Sequence, residues 1–390
     1  MKILIFVESF MPNKGYMEYY LAKELSKIGH SVNIITFGHA KESITSTEEN
    51  IGITKIPHYF EYYSYHLPTL LGLMKVSQII KNVKPHIILC WPLFSPLSLF
   101  SSFYQKIVGG LTVGSLVTGG PIATTIGPFN PESIGSLFRY ILVKILMKLY
   151  IGKMADLVFV LSSGIKRMIR KSFDVHEEKL RIMPLGADLD LFKIDEKARK
   201  SVRKKLGVTQ EETIIIWSGR IVPSKNLPLL IESLANIKND CPLTKILIVG
   251  GGSHKNLDQL KQLSRNLKIE DRVIFHPIVS RTELSAFYNA SDIAVWPGGP
   301  SISIAEVAST GLPIIIKKSP FTSYFISNKN GFQFNPSDSE DLQSKLLLLI
   351  KDRETRISMG RKSRQLIEDK LNWTTIAKRF IDDCMQVLNK

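Results

Sequence analysis

Short apolar runs alternate along the chain with amphipathic stretches in which apolar residues recur at helical spacing. The run KILIFV near the N-terminus is followed by YMEYYLAKELSKIGH, where Tyr20, Leu21 and Leu25 have this spacing and Gly29 marks the expected helix end. Four further runs are apolar on both faces, as in parallel strands covered by helices: SVNIITF, PHIILCW, VGSLVT and ADLVFVLS. This alternation predicts a doubly wound α/β domain.

The same alternation begins again after a charged stretch at 195–207. The pattern predicts a helix over NLPLLIESLANI and five strands, over TIIIWSGR, KILIVGG, RVIFHP, DIAVWP and GLPIIIK. We therefore predict two Rossmann-like domains, at 1–192 and 193–371, and a last helix within 372–390 that packs back on the N-terminal domain. Two such domains would face each other across a central cleft lined by the carboxyl ends of both sheets, where open α/β sheets bind ligands.

Composition narrows the classes of protein that fit this pattern. The three cysteines, Cys90, Cys241 and Cys384, lie far apart and form no CxxC pair. A disulfide framework or a structural zinc site is therefore not expected, and a reducing, cytoplasmic compartment is favoured. The N-terminal run MKILIFVESF is too short for a signal peptide, and IILCWPLFSPLSLF is too short and too rich in proline for a membrane span.

The net charge of +16 calls for an anionic partner. Nucleic acid, a membrane surface and a phosphorylated substrate all meet this requirement. The sequence has no zinc finger, no RNP-like aromatic motif and no basic repeat, so we expect no nucleic-acid partner. A phosphorylated substrate and an anionic membrane remain.

The segment WSGRIVPSKN places basic residues after a predicted strand. Gly219 and Arg220 end the strand, and Lys225 lies in the loop before the next helix. A guanidinium fork and an ammonium group beside a helix N-terminus suit a diphosphate. Two solvated cations on a turn would give the same spacing, so both interpretations stay open. The three glycines of IVGGGSHKNL, at 250–252, are a weaker phosphate signal of the same kind.

The stretch WPGGPSISIAEVASTGLP holds one carboxylate, Glu306, among small and apolar residues. Gly298 and Gly299 loosen the backbone, and Ser301 or Ser303 can begin a helix whose free N–H groups would bind an anion. Ser303 to Glu306 also reads S-x-x-E, which is a capping box. Spacing alone leaves Glu306 equally open to a capping role and to a ligand-binding role.

Two further segments have a structural and a functional interpretation. Asp188 and Asp190 could hold a divalent metal, but N-capping and loop shaping are favoured. The apolar segment 136–154 carries a narrow stripe of Lys144 and Lys148, and with residues 59–75 it could lie in a bilayer interface. A mostly buried helix with snorkelling lysines is the alternative.

These motifs, taken in order, resemble glycosyltransferase family 4, a group of retaining, nucleotide-sugar-dependent enzymes with the GT-B architecture. PNKGYMEYYLAKELSKIGHSV resembles the opening glycine loop and first helix of the family, and EEKLRIMPLGADLDLF its segment closing the N-terminal domain. WSGRIVPSKN resembles the G-R-x4-K loop, and GGPSISIAEVASTGLPII the glutamate-containing helix. The resemblance covers nearly the whole chain.

The resemblance implies an N-terminal acceptor-binding domain and a C-terminal domain that binds the nucleotide sugar. Arg220 and Lys225 would stabilise the departing diphosphate as catalytic residues, without a metal or other cofactor. Glu306 would bind the ribose hydroxyls. The other implied donor-binding positions are Gly15, Gly219, His276, Gly299, Pro300, Ser301, Ile302 and Ser303.

Four positions depart from the family pattern. The first glutamate of E-x7-E falls at Gly298, and the frequent N-domain histidine falls near Gly119. The second glycine of the opening loop is Tyr16, and an expected asparagine is Leu185. The phosphate side of the implied site is kept, whereas the sugar and acceptor side is changed.

The resemblance implies a hexosyltransferase that moves a sugar, with retention, from a UDP or GDP sugar to a lipid-linked or glycan acceptor. Such an enzyme would serve glycan, surface polysaccharide or glycolipid biosynthesis. It would be cytoplasmic, with a peripheral contact at the inner face of an anionic plasma membrane. The alternatives are a degenerate nucleotide-sugar-binding protein without transferase activity and, less favoured, a GT-B-type sugar epimerase.

Overall fold

The computed structural model describes residues 1–12, 15–38, 44–62, 65–92, 95–115, 145, 148, 153–173, 175–327, 329–336 and 338–389. The chain forms two compact units, one made of Met1–Pro184 with Trp373–Lys390 and the other of Leu185–Asn372. The first unit ends before the sequence-based boundary at 192 because the following residues bond within the second unit. The Leu185 N–H donates to the Tyr324 hydroxyl at 3.2 Å, and Arg364 donates to the Phe192 carbonyl at 3.0 Å.

The helices are α1 Met17–Lys27, α2 Leu70–Val83, α3 Pro96–Val108, α4 Ser163–Phe173, α5 Glu196–Lys205, α6 Leu227–Asn236, α7 His254–Asn266, α8 Arg281–Ala290, α9 Ile302–Ser309, α10 Ser339–Lys351, α11 Arg353–Lys370 and α12 Trp373–Leu388. Single 3-10 turns occur at Glu177–Lys179, Pro223–Lys225, Glu270–Arg272 and Ser323–Phe325. None of the described helices is long and apolar enough to cross a membrane.

In the described residues of the first unit, the sheet has nine strands. These are β1 Lys2–Val7, β2 Ser31–Gly38, β3 Ile44–Glu48, β4 Ile51–Tyr62, β5 Tyr65–Pro68, β6 Ile87–Trp91, β7 Leu111–Ser115, β8 Leu157–Val160 and β9 Leu180–Ile182. Their order is β3-β4-β2-β1-β6-β7-β8-β9, with β5 paired to β4. The strands β3 and β5 run antiparallel to β4, and the other pairs are parallel.

Within 59–75, the described residues 59–62 end β4 and 65–75 form β5 and the start of α2, an arrangement that the sequence pattern did not predict. Most of the segment 136–154, including Lys144, lies outside the described residues, as does Gly119. The expected membrane contact of 136–154 and the departure at Gly119 therefore stay predictions.

The C-terminal helix α12 belongs to the first unit. Trp373 stacks on Tyr20 of α1 with ring centroids 5.6 Å apart, and Phe380 lies 5.0 Å from Phe159 of β8. The Thr374 hydroxyl donates to the Glu24 carboxylate at 2.6 Å. Aromatic stacking and a partly buried hydrogen bond thus hold the last helix against the first one.

The second unit has a parallel six-stranded sheet. Its strands are β10 Thr213–Ile221, β11 Thr244–Gly252, β12 Val273–His276, β13 Ile293–Trp296, β14 Ile314–Lys317 and β15 Gly331–Phe334. The order is β12-β11-β10-β13-β14-β15, so the chain moves outward from β10 in one direction and then in the other. The direction reverses between β10 and β13, and a doubly wound sheet binds ligands at the carboxyl ends of such a pair.

Candidate functional site

The candidate site lies in the second unit, at the carboxyl ends of β10 and β13. These strands pair directly, with Ile215 opposite Ile293. Beyond β10 the chain makes the 3-10 turn Pro223–Lys225, which ends at Asn226 with a left-handed φ of 51°. Beyond β13, a short loop leads into α9. The fold therefore brings the two sequence motifs WSGRIVPSKN and WPGGPSISIAEV together at the switch point.

Lys225 links the two loops. Its Nζ donates to the carbonyl oxygen of Pro300 at 3.1 Å. The ammonium group is half-buried, and burial, reinforced by repulsion from Arg220 and Lys317, lowers the pKa of Lys225. The side chain is thus held at the switch point with other cations near it, rather than solvated on an isolated turn. Arg220 itself is exposed at the end of β10.

Gly298 is packed against the backbone of the lysine turn. A Cβ atom at this position would lie 2.5 Å from the Lys225 Cα and 2.7 Å from the Ser224 carbonyl oxygen. No side chain fits there without moving that turn. The space next to residue 298 is filled by the backbone that carries Lys225, so an acidic side chain at 298 would have to displace that backbone. Gly299, in contrast, has nothing within 4 Å of the corresponding position.

The three glycines at 250–252 belong to β11, not to a loop after it. Gly250 lies opposite Gly219 in the β10–β11 pair, and a Cβ on Gly250 would overlap the Gly219 carbonyl. A Cβ on Gly252 would overlap the carbonyl of Ile221. Close strand pairing therefore accounts for two of these glycines, and their presence is not itself a phosphate signal.

Helix α9 begins with Ser301 as its N-cap, whose hydroxyl accepts the N–H of Ser303 at 3.3 Å. The capping-box interpretation of Ser303 and Glu306 is therefore wrong, because the cap lies two residues earlier. A complete capping box occurs instead at Ser280 and Glu283, at the start of α8. The sequence carries the same S-x-x-E spacing there, and the spacing alone did not distinguish the two.

Glu306 is fully buried on α9 and forms an ion pair with Arg281 of α8. The Arg281 guanidinium also lies over the ring of Phe192, 4.9 Å from its centroid. Within the described part of the chain, the Oε2 atom of Glu306 has no hydrogen-bond partner. One carboxylate oxygen is thus fixed by the arginine, and the other keeps its capacity to accept a hydrogen bond.

A buried polar contact underlies the same region. The hydroxyl of Tyr288 on α8 lies 2.7 Å from the Ser218 Oγ on β10, one residue before Gly219. Burial raises the pKa of Tyr288, while Arg281 and hydrogen bonds to Ser218 and Ser303 oppose that shift. Tyr288 therefore connects the strand that carries the cations with the first turn of α9. Sequence analysis did not identify Arg281, Tyr288 or Ser218.

The remaining predicted residues lie in different places. His276 ends β12, two strands from β10, and its ring packs on Phe287 at 4.5 Å. Gly15 lies in the first unit two residues before α1, with a φ of 77°. Asp188 accepts the N–H groups of Asp190 and Leu191 at 3.0 and 3.1 Å, which supports loop shaping.

The departures at Tyr16 and Leu185 lie in different environments. Tyr16 is exposed at the start of α1, whereas Leu185 is buried in the second unit. Nowhere in the described ranges do three or more His, Cys, Asp or Glu side chains cluster as metal ligands would.

Two family models match the chain. The model for glycosyltransferase family 4 matches residues 17–191, and the model for group 1 glycosyl transferases matches residues 198–366. A GDP-mannose-dependent α-(1-6)-phosphatidylinositol monomannoside mannosyltransferase of Mycobacterium tuberculosis is 26% identical over 243 residues. That match covers 60% of this chain and 62% of the relative, so the chain spans under two thirds of its length.

Other similar proteins match over more of the chain. The sulfoquinovosyl transferase SQD2 of Arabidopsis thaliana is 25% identical over 386 residues, which cover 95% of this chain and 71% of the relative. Among solved structures, HepE of Anabaena in complex with UDP superposes with a TM-score of 0.76 and 17% identity, covering 99% of this chain and all of that one. The two matched models together take in most of the sequence, and the chain belongs to the group 1 glycosyltransferases of family 4, with the GT-B fold.

Proposed function

We propose that this protein transfers a sugar from a nucleoside diphosphate sugar to an acceptor hydroxyl, with retention of configuration. The observation that carries the proposal is the cationic clamp at the switch point, where Lys225 is bonded to Pro300 and lies close to Arg220. A phosphate there would meet two cations and the N-terminus of α9. Glu306, through its Oε2 atom, would accept hydrogen bonds from the ribose.

In the proposed reaction the bond between the anomeric carbon and the diphosphate oxygen breaks, and a bond to the acceptor oxygen forms. The acceptor's proton passes to the departing diphosphate on the same face of the sugar. Arg220 and Lys225 stabilise the negative charge that develops on the leaving group, which is the main catalytic contribution expected of such a site. The step therefore requires no separate base.

Replacing Lys225 by alanine tests this assignment. We expect Lys225→Ala to abolish turnover and to leave the fold intact, because it removes a charge that acts on the leaving group. Lys238→Ala is a matched control, since the Lys238 ammonium also donates to a carbonyl, that of Leu267 at 3.0 Å, away from the site. An unchanged rate in Lys225→Ala would overturn the proposed role. Nucleotide binding by the wild type without any turnover would favour the binding-protein alternative.

The base and the sugar of the donor are open to a direct screen. Relatives and neighbours are named for GDP-mannose, for a sulfoquinovosyl group and for a complex with UDP. A thermal-shift screen of UDP, GDP and ADP sugars separates these possibilities. A ligand near a hundredfold its dissociation constant stabilises the folded protein by about 2.7 kcal/mol, which is readily measured.

We further propose a lipid-linked acceptor and contact with an anionic membrane. Helix α2 packs against α3, and both helices expose large apolar side chains. These are Leu70, Leu71 and Met74 of α2 and Phe103 and Ile107 of α3. Helix α2 carries the exposed Lys75 and Lys81, and neither helix contains an acidic residue, so this apolar surface is complementary to an anionic bilayer. Lys106 of α3 is paired with Asp156 at 2.6 Å.

Vesicle sedimentation tests the membrane contact. We expect binding to phosphatidylglycerol vesicles, weaker binding to phosphatidylcholine vesicles, and loss of binding in the double variant Leu71→Ser/Phe103→Ser. Leu348→Ser, an exposed leucine on α10 of the second unit, is the control and should bind as the wild type does. Equal binding of the double variant would exclude this surface.

A further inference from the structure

The first unit has a switch point of its own, at the carboxyl ends of β1 and β6. The chain moves outward from β1 through β2 to β4, and then returns to place β6 on the other side of β1. The strands β1 and β6 pair directly, with Val7 opposite Trp91, so Glu8 and Pro92 are the first residues beyond the pair. A doubly wound sheet binds ligands at such a point. Glu8 therefore follows β1 at the expected ligand position of this unit.

Glu8 is a buried carboxylate that is held through one of its two oxygens. The residue is 8% exposed. The backbone N–H of His66 on β5 donates to Oε2 at 2.8 Å, and Nδ1 of the His66 ring lies 3.0 Å from the same oxygen. That ring stacks on Phe37 of β2, with ring centroids 4.8 Å apart. Contacts with two other strands thus fix the position of the carboxylate.

The other oxygen, Oε1, has no hydrogen-bond partner in the described part of the chain, although it is buried. Burial raises the pKa of Glu8, and contacts with Ser95 and His66 oppose that shift. The single hydroxyl proton of Ser95, however, is donated to the Ser98 Oγ at 3.0 Å. The Ser98 hydroxyl in turn donates to the carbonyl oxygen of Pro92 at 2.8 Å. A buried acceptor without a donor is unfavourable, so we expect a donor from outside the chain to meet Oε1.

The chemistry of Glu8 restricts the group that can bind there. A carboxylate only accepts hydrogen bonds, so a phosphate or carboxylate of a ligand would offer it no proton and would be repelled. The switch point of the second unit is the opposite case, because Arg220 and Lys225 suit an anion. A hydroxyl group donates a hydrogen bond without carrying a charge. The first unit therefore fits an uncharged, hydroxyl-bearing ligand at this position.

We infer that Glu8, positioned by His66, binds a hydroxyl group of an uncharged sugar or polyol moiety of the acceptor. This inference rests on the proposed function, for which it specifies the chemistry of the acceptor and a residue that binds it. Oε1 of Glu8 accepts the hydrogen bond, and no covalent bond is made or broken at this point.

Simple carbohydrates serve as probes of the acceptor site. Titration calorimetry of the full chain, saturated with UDP or GDP, would use methyl α-D-glucopyranoside, methyl α-D-mannopyranoside and myo-inositol. We expect at least one of them to bind the wild type, and Glu8→Gln to weaken that binding about tenfold, the loss of one hydrogen bond to a charged acceptor. The amide oxygen of the variant can keep the bond from the His66 N–H, which leaves an NH2 donor in place of Oε1. The affinity for UDP or GDP should change less than about twofold.

Glu24→Gln is a matched control. Glu24 is also a buried glutamate of the first unit, but its two oxygens accept from Lys27 at 2.7 Å and from Thr374 at 2.6 Å. This variant should bind the probes as the wild type does. Circular dichroism shows whether Glu8→Gln is folded. Glu8→Asp keeps the charge but withdraws the carboxylate by one methylene group, and it should show the same loss if Glu8→Gln fails to fold.

The outcomes separate this site from the proposed function. A chain that binds UDP or GDP but none of the probes would overturn the inference, as would unchanged probe affinity in Glu8→Gln. Tighter binding of D-glucosamine than of D-glucose would assign the position to a cation and would also overturn it. Failure of every nucleotide to bind would instead refute the proposed function, and the probe titrations without nucleotide would still test Glu8.

Discussion

The guanidinium of Arg281 and the carboxylate of Glu306 form a buried ion pair that joins the start of α8 to the middle of α9. Glu306 is fully buried, so the arginine is the group that compensates its charge in the absence of ligand. The pair places the only acid of the WPGGPSISIAEV stretch at a fixed position beneath the switch point. It therefore connects the stability of the second unit with the presentation of a potential ribose ligand.

Removal of the Arg281 guanidinium should destabilise the folded protein. We expect Arg281→Gln to lower the free energy of unfolding by about 3–5 kcal/mol, because it leaves a buried carboxylate without a counter-charge. Urea unfolding followed by circular dichroism measures the change. The double variant Arg281→Gln/Glu306→Gln should recover part of the loss. Arg265→Gln, which removes only an exposed contact with Gln262, should stay within about 0.5 kcal/mol of the wild type.

Gly298 and Gly299 provide a matched pair for testing the packing of the lysine turn. Gly298→Ala should weaken UDP or GDP binding about tenfold or more, since the added Cβ must displace the Lys225 backbone and its bond to Pro300. Gly299→Ala places its methyl group in open space and should bind as the wild type does. Calorimetric titration compares the two. Similar affinities for both variants would show that the turn adjusts freely.

Glu18 should make the first unit less stable as the pH rises. Burial raises the pKa of this half-buried side chain from 4.5 to about 7. Below pH 4.5 the Glu18 carboxyl group is protonated in both the folded and unfolded states, so its full contribution to the free energy of unfolding is present. Between these two values only the unfolded state releases the proton, so the free energy of unfolding falls, by at most about 3 kcal/mol, and levels off above pH 7.

Unfolding titrations at several pH values test this effect. We expect Glu18→Gln to be flatter than the wild type between pH 4.5 and 7, because glutamine has no proton to retain. The exposed Glu232→Gln serves as the control and should follow the wild-type curve. A Glu18→Gln curve parallel to the wild type would refute the role of this group.

Trp373 should carry much of the attachment of α12. It is almost fully buried and stacks on Tyr20, so Trp373→Ala should cost about 3–5 kcal/mol of unfolding free energy. Hydrogen exchange should locate the loss of protection in α1 and α12. Met385→Ala, at an exposed position on the same helix, should cost less than about 1 kcal/mol.

The sequence predicts the sheet strands well where both faces are apolar. Parallel strands between helical layers are apolar on both faces, so they are easily recognised in the sequence. Strands form, as predicted, within KILIFV, SVNIITF, TIIIWSGR and DIAVWP. The segment containing β3, β4 and β5 was missed. Both β3 and β5 pair with β4 in antiparallel fashion and contain polar or aromatic residues, so they lack that signal, whereas β4 also pairs in parallel with β2.

The candidate site was predictable only where residues adjoin in sequence. The loops at Lys225 and at Ser301 carry local signals, and the fold brings them together. The ion pair of Arg281 with Glu306 and the contact of Tyr288 with Ser218 depend on how helices pack, which no local spacing encodes. The reason for glycine at 298 is the approach of a distant backbone, and this too requires the structure.

The packing of α12 on α1 has a consequence for synthesis of the chain. Residues 185–372, which form a separate compact unit, leave the ribosome before Trp373 does. The apolar surface around Tyr20 and Phe159 must therefore wait uncovered while an entire second unit is translated and folds. Synthesis of the first unit begins before that of the second unit and ends after it. A nascent chain stalled before α12 would expose an apolar surface that chaperones can bind.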